Sequence, residues 1–143
     1  MKLRVAWIGK TKERSIQSLT LEYLKRLERY APTESLELAS EAALGKQLGR
    51  PGQLLIALDA RGKQFSSEEL AQLLAEHQNR GTQSLLFAIG PADGWSEEML
   101  RSAHAQLSLG RITLPHELAR VVLLEQLYRA FTILKGHPYH LGH

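Results

Sequence analysis

Leu85-Leu86-Phe87-Ala88-Ile89-Gly90-Pro91-Ala92-Asp93-Gly94 is the stretch that decides the fold class. Five apolar side chains in a row leave no polar face. The run therefore fits a strand buried on both sides, as in parallel sheets. Two glycines and a proline then turn the chain. Leu54 to Leu58 has the same character and ends at Asp59. Strands covered on both faces call for helices above and below the sheet.

The flanking sequence supplies them. Lys2 to Ile8 is a strand carrying Val5, Trp7 and Ile8. Ser15 is placed to cap a helix reaching Tyr30, with Ile16, Leu19, Tyr23, Leu24 and Leu27 at helical spacing. Glu34 to Ala39 alternates leucine with glutamate, the pattern of a half-buried strand. Residues 40–52 read as a connection with room for one helical turn, and Arg61-Gly62-Lys63 as a loop. Ser66 and Glu69 form a capping box for a helix to Asn79, stopped near Gly81. Ser96 caps a short helix to Ala103, and Ala105 to Leu109 is a short strand. Pro115 opens a long helix to Leu134. Gly136 ends it before a tail, His137-Pro138-Tyr139-His140. The expectation is one α/β domain over residues 1–143, with a mostly parallel sheet and helices on both faces. Ligands of such sheets sit beyond the carboxyl ends of the strands, here Asp59, Gly90 and Gly110.

Composition narrows the function. Of the 143 residues, 43% are hydrophobic and 23% charged, enough apolar content for one core. There is no cysteine, which excludes disulfides, thiolate metal sites and cysteine nucleophiles. The apolar run near the start, Val5 to Ile8, is too short for a signal peptide or a membrane span. A cytoplasmic setting fits both observations. The net charge is +3. In the first thirty residues Lys2, Arg4, Lys10, Lys12, Arg14, Lys25, Arg26 and Arg29 face only Glu13, Glu22 and Glu28. Such a surface favours polyanions, though a solvated helix face carries the same charges.

Some side chains invite a chemical reading. The long helix has Leu118, Val121, Val122, Leu124, Leu127, Tyr128, Phe131 and Leu134, a stripe wide enough for a core, an interface between copies, or both. Arg120 and Arg129 lie on it, each placed to pair with Glu117 or Glu125 or to bind phosphate. His137, His140 and His143 fall in the last seven residues, with Tyr139 between the first two. A histidine moves protons near neutral pH, and a tyrosine stacks on a base. The tail offers no carboxylate or cysteine to complete a metal site, so none is expected.

Three strings together resemble one family. They are Thr113-Leu114-Pro115-His116-Glu117-Leu118-Ala119-Arg120-Val121-Val122, then Glu125-Gln126-Leu127-Tyr128-Arg129-Ala130-Phe131, then His137-Pro138-Tyr139-His140. The opening ten residues, the Glu22 to Leu27 segment and Leu58-Asp59-Ala60-Arg61-Gly62 match as well. The chain is similar to the ribosomal RNA large subunit methyltransferase H family of the SPOUT superfamily over nearly its whole length. The resemblance implies a carboxyl-terminal trefoil knot, which runs against the usual rule of unthreaded chains. It implies a homodimer that binds S-adenosyl-L-methionine (SAM) and methylates N3 of a pseudouridine in helix 69 of 23S rRNA, on the assembled ribosome.

By that resemblance, Leu58, Gly90, Leu109, Gly110, Arg111, Ile112, Thr113 and Leu114 are the cofactor residues. Arg120 and His137 lie near the substrate. His140, Tyr139 and Arg129 carry the chemistry, with His140 or Tyr139 orienting the base and assisting proton removal and an arginine steadying negative charge. The tail of one subunit is placed to complete the pocket of the other. One departure stands out: the family usually has two successive glycines where this chain has Gly90-Pro91, and proline removes an N–H. The segment between Leu38 and Leu54 is also shorter than in many relatives. Two other functions stay open: a non-catalytic ribosome- or RNA-binding module of the same fold, and a SPOUT enzyme acting on tRNA or another rRNA site.

Overall fold

The computed structural model describes residues 1–141, so His143 of the tail lies outside the described residues. The elements in chain order are β1 (Lys2–Ile8), α1 (Arg14–Glu28), β2 (Thr33–Leu38), α2 (Glu41–Gly45), β3 (Gln53–Gln64), α3 (Ser67–Arg80), β4 (Ser84–Ile89), α4 (Glu97–Ser102), β5 (Ala105–Ser108) and α5 (His116–Leu134). A 3-10 turn over Pro138–His140 follows. The five strands form one sheet in the order β2-β1-β4-β3-β5, and every pair is parallel.

The two apolar runs lie side by side in the middle, Leu54 opposite Leu85 and Leu58 opposite Ile89. Alternation along each strand divides the core. Leu3, Val5, Trp7, Leu85, Phe87 and Ile89 face α1, α3 and α5, packing on Leu27, Leu74, Leu123, Leu124, Leu127 and Phe131. Ala6, Ile8, Leu55, Ala57, Leu86 and Ala88 face the other way, onto Leu44, Trp95, Met99 and Leu100. Helices therefore cover both faces. Most of the α5 stripe is spent on the chain's own core, which leaves Leu118 and Leu134 exposed and Val122 half-buried.

Two local expectations are corrected. Ser15 does not cap α1; the helix begins at Arg14, and no side chain caps it. Instead the Glu117 carboxylate of α5 accepts from the backbone N–H groups of Lys12 and Glu13, at 2.8 and 3.3 Å. A tertiary partner thus fixes the entry to the helix. Arg61-Gly62-Lys63 is not a loop but part of β3. The strand pairs Leu58 with Leu107, bulges, and pairs Lys63 with Leu107 again. Gly62 allows this, since a Cβ there would stand 2.6 Å from the Gln106 carbonyl carbon. The α3 capping box is present, and Gly81 ends that helix at φ 75°.

Candidate active site

The bulge of β3 and the carboxyl ends of β4 and β5 open into one cleft of about 810 Å³; Asp59, expected at a strand end, lies at that bulge, because β3 runs on to Gln64. Its walls are Leu58 to Arg61, Ile89 to Trp95 and Leu107 to His116, with Ala119. All eight residues named as cofactor ligands border it. Gly110 adopts φ +127°, a conformation that favours glycine. The Ser108 hydroxyl bridges this turn, accepting from the Gly110 N–H at 3.1 Å and donating to its carbonyl at 3.0 Å. Ile112 points its side chain out at 82% exposure, an uncovered apolar group on the cleft wall.

Gly90 has a reason for being glycine that the sequence did not show. The Trp95 indole lies against it, and a Cβ at position 90 would stand 2.8 Å from Cε2 of the ring. The same indole donates from Nε1 to the Leu58 carbonyl at 3.0 Å. Trp95 thus braces two walls of the cleft and is buried. Its place directly after the Gly90–Gly94 turn was the only sign of it in the sequence. Asp59, at the mouth, accepts from the Arg61 backbone at 2.9 Å and from Arg61 Nε at 3.1 Å. Burial pushes its carboxyl up, but Arg61 outweighs that and holds it below the usual aspartate value. Arg61 also reaches Glu97 at the start of α4, at 3.2 Å.

Arg120 lies beside the cleft rather than in its lining. It is 1% exposed, with its guanidinium 3.9 Å from the Trp7 ring centroid. Nη1 donates to the Thr11 hydroxyl at 2.6 Å, and that hydroxyl donates to Glu37 at 2.8 Å. Glu37 also accepts from Trp7 Nε1 at 3.1 Å. Nε and Nη2 of Arg120 have no acceptor. Burial pulls this guanidinium below its ordinary value, against the pull of Glu117 and Glu37. Arg120 therefore does not hydrogen-bond Glu117, which is occupied at the start of α1. Thr11, Glu37 and Trp7 had no separate signal in the sequence, because three elements bring them together.

The remaining candidates gather at the other end of α5. Arg129 pairs with Glu125 through Nε and Nη2, at 3.1 and 2.7 Å. The Tyr139 hydroxyl donates to the same carboxylate at 2.9 Å, and Arg129 lies 5.1 Å from the Tyr139 ring. Burial, then hydrogen bonding with Tyr23 and Glu125, raises the Tyr139 hydroxyl well above the ordinary tyrosine value, so it stays neutral. His137 is exposed and its Nδ1 accepts from the Tyr139 N–H at 3.1 Å. His140 is half-buried, with Nδ1 enclosed and lacking an acceptor or donor. From His116 to Arg129 along α5 is roughly 20 Å at 1.5 Å per residue. Within one chain, then, the eight cleft residues come together, and Arg129, His137, Tyr139 and His140 form a second group well away from them. Among the described residues no three His, Asp or Glu side chains gather to hold a metal.

A family described as "Predicted SPOUT methyltransferase" matches residues 1–140. A ribosomal RNA large subunit methyltransferase H of Koribacter versatilis is 64% identical over 146 residues, covering all of both chains. The protein of that name from Geobacter sp. (strain M21) is 41% identical over 153 residues, 98% of this chain and 99% of its own. Among solved structures, a probable methylase family protein from Haemophilus influenzae superposes with a TM-score of 0.60 at 13% identity, over 96% of this chain and 69% of its own. The SpoU methyltransferase AviRb from Streptomyces viridochromogenes, solved in complex with AdoMet, gives 0.50 at 10% identity, over 95% and 61%. Those two likenesses speak to the fold; the full-length sequence identity speaks to the family, and by it this chain belongs to the ribosomal RNA large subunit methyltransferase H family of SPOUT methyltransferases.

Proposed function

We propose that the protein binds SAM in the cleft and methylates N3 of a pseudouridine in helix 69 of 23S rRNA, on the assembled ribosome. One observation carries the cofactor half of this reading: Leu58 at the β3 bulge, Gly90 after β4 and Leu109 to Leu114 after β5 come from three separate segments yet wall a single cleft. The fit is chemical as well as spatial. Strand-end loops offer backbone N–H and C=O groups to a polar ligand, and Ile112 is an uncovered apolar side chain for a purine to cover. Pro91 supplies no N–H, so polar recognition at this turn falls to its neighbours. When bound, SAM supplies an electrophilic methyl group on a sulfonium.

The chain's own residues do the rest. N3 of pseudouridine carries a proton that must leave. Tyr139 is neutral and donates its hydrogen to Glu125, so it positions the base instead of taking that proton. The half-buried imidazole of His140 is the acceptor. Arg129 and Arg120 steady negative charge on the base or a phosphate, and His137 flanks the substrate. Much of the acceleration comes from holding two reactants in line. Because the tail stands far from its own cleft, the active protein is a homodimer in which one tail completes the partner's cleft. The carboxyl-terminal trefoil knot belongs to the same reading.

Transfer of labelled methyl from SAM to intact ribosomes, free rRNA and tRNA, followed by nucleoside analysis, tests it. Label confined to 3-methylpseudouridine of ribosomal 23S rRNA is the expected result. Label in tRNA or at another rRNA position points to a different SPOUT substrate. A folded dimer that binds no SAM is a ribosome-binding module without catalysis.

A further inference from the structure

Tyr23 and Arg26 lie one turn apart on α1, and both reach the aromatic end of α5. The Arg26 guanidinium stands 5.0 Å from the Tyr23 ring centroid and 5.5 Å from that of Tyr128. Tyr23 and Tyr128 are 6.1 Å apart, and Tyr128 meets Tyr139 edge-on at 4.7 Å. Tyr23 also hydrogen-bonds the Tyr139 side chain. A purely structural aromatic cluster would be closed over by apolar side chains. This one is rimmed by charge. Arg26 is 34% exposed, and Lys25 and Arg29 beside it are exposed. The nearby carboxylates are both engaged: Glu22 with Arg26 at 3.0 Å, Glu28 with the Thr33 N–H at 2.9 Å. The first of these is an exposed pair, which contributes little and yields readily to phosphate.

We propose that this face of α1 is an RNA-binding surface, with Tyr23 and Arg26 stacking a base of the substrate strand and Lys25 and Arg29 holding the adjoining phosphates. The proposal rests on the reading of the tail as the substrate end, which it extends onto a second helix. Alternating rings and guanidinium groups beside unpaired cations suit single-stranded RNA, whose splayed bases stack on aromatic or arginine planes. An acidic peptide would use the cations but leave the ring–guanidinium stack without a role.

The test compares Lys25→Gln/Arg29→Gln, Arg26→Gln and Tyr23→Leu with the parent protein. Three quantities are read: affinity for 70S ribosomes and for a labelled single-stranded oligouridine across a salt series, SAM affinity by calorimetry, and solution mass. The double variant changes only exposed side chains, so it stays informative even if Tyr23→Leu misfolds. The salt slope should fall by about 1.4, two single-strand phosphate contacts at roughly 0.7 each. Arg26→Gln and Tyr23→Leu should weaken RNA binding roughly 5- to 100-fold, the range for one lost base stack. SAM affinity and mass should hold. Unchanged RNA affinity and slope overturn the proposal, as does a change in mass, which makes the face a contact between copies. A parent protein that methylates ribosomes while the variants bind RNA normally sinks this inference alone. A parent that binds RNA through α1 but transfers no methyl group sinks the proposed function alone.

Discussion

The Trp95 indole rests on Gly90 while its Nε1 donates to the Leu58 carbonyl at 3.0 Å. One buried side chain thus sets the spacing between the β3 bulge at Leu58 and the end of β4, which are two walls of the cleft. Gly90→Ala places a methyl 2.8 Å from the ring and forces it to move. Overpacking of this kind costs about 1–3 kcal/mol of stability. SAM affinity should fall in parallel, because the Leu58 wall moves with the indole. Chemical denaturation and calorimetry measure the two effects. A variant with parent stability and parent affinity would show that Trp95 does not brace the cleft.

Ile112 predicts the opposite split. At 82% exposure its side chain contributes little to the folded chain, so Ile112→Ser should leave stability within about 0.5 kcal/mol. If SAM covers it, losing that burial weakens binding by about 1–2 kcal/mol, or roughly five- to thirty-fold. Calorimetry together with solution mass decides the matter. A drop in mass with unchanged SAM affinity would assign Ile112 to the contact between copies.

The runs Leu54 to Leu58 and Leu85 to Ile89 disclosed the parallel sheet because burial on both faces removes polar alternation, and no other soluble arrangement does this as simply. The capping box at Ser66 and Glu69 was equally legible, since both partners lie within one turn. The start of α1 was not, because its partner, Glu117, is 105 residues from Lys12. The β3 bulge escaped notice for a related reason. Arg61-Gly62-Lys63 has loop composition, yet Gly62 is there to admit the Gln106 backbone. The cleft residues and the tail could be named from the family strings. Their separation along α5 could not, nor could the Thr11–Glu37 relay behind Arg120, because contacts across the fold leave no local periodicity.

His77 gives the fold a weakness in mild acid. It is 2% exposed, with Nδ1 3.0 Å from the Thr82 hydroxyl. Burial, then the charges of His104 and Arg80, hold its folded value below the ordinary 6.5, against a smaller opposing pull from Glu76. The unfolded chain therefore takes up this proton first. The stability is fully present above about pH 6.5 and is lost as the pH falls through the folded value. Melting temperature should decline from pH 6.5 towards 5, before the carboxylates titrate. His77→Asn, though less stable throughout, should flatten that slope. A parallel slope in the variant would place the acid sensitivity elsewhere.

Arg120 separates stability from function most sharply. Its Nε and Nη2 are buried without acceptors, a state that costs folding energy. Arg120→Met removes the buried charge and keeps an apolar stem over Trp7. The Thr11 hydroxyl retains its bond to Glu37, so the change creates no new orphan. Relief of the buried charge is offset by the lost contact with Trp7, so stability should stay within about 2 kcal/mol of the parent. Methyl transfer to ribosomes should nonetheless fall steeply with SAM affinity intact, because the buried cation beside the cleft steadies negative charge on the base or a phosphate through space rather than by direct contact. Arg120→Lys should not rescue transfer, since an ammonium does not stack flat on the indole. Denaturation, calorimetry and the transfer assay on the same preparations settle the point. A methionine variant that unfolds readily would make Arg120 a structural strut, and one that keeps full transfer would show that its charge takes no part in the reaction.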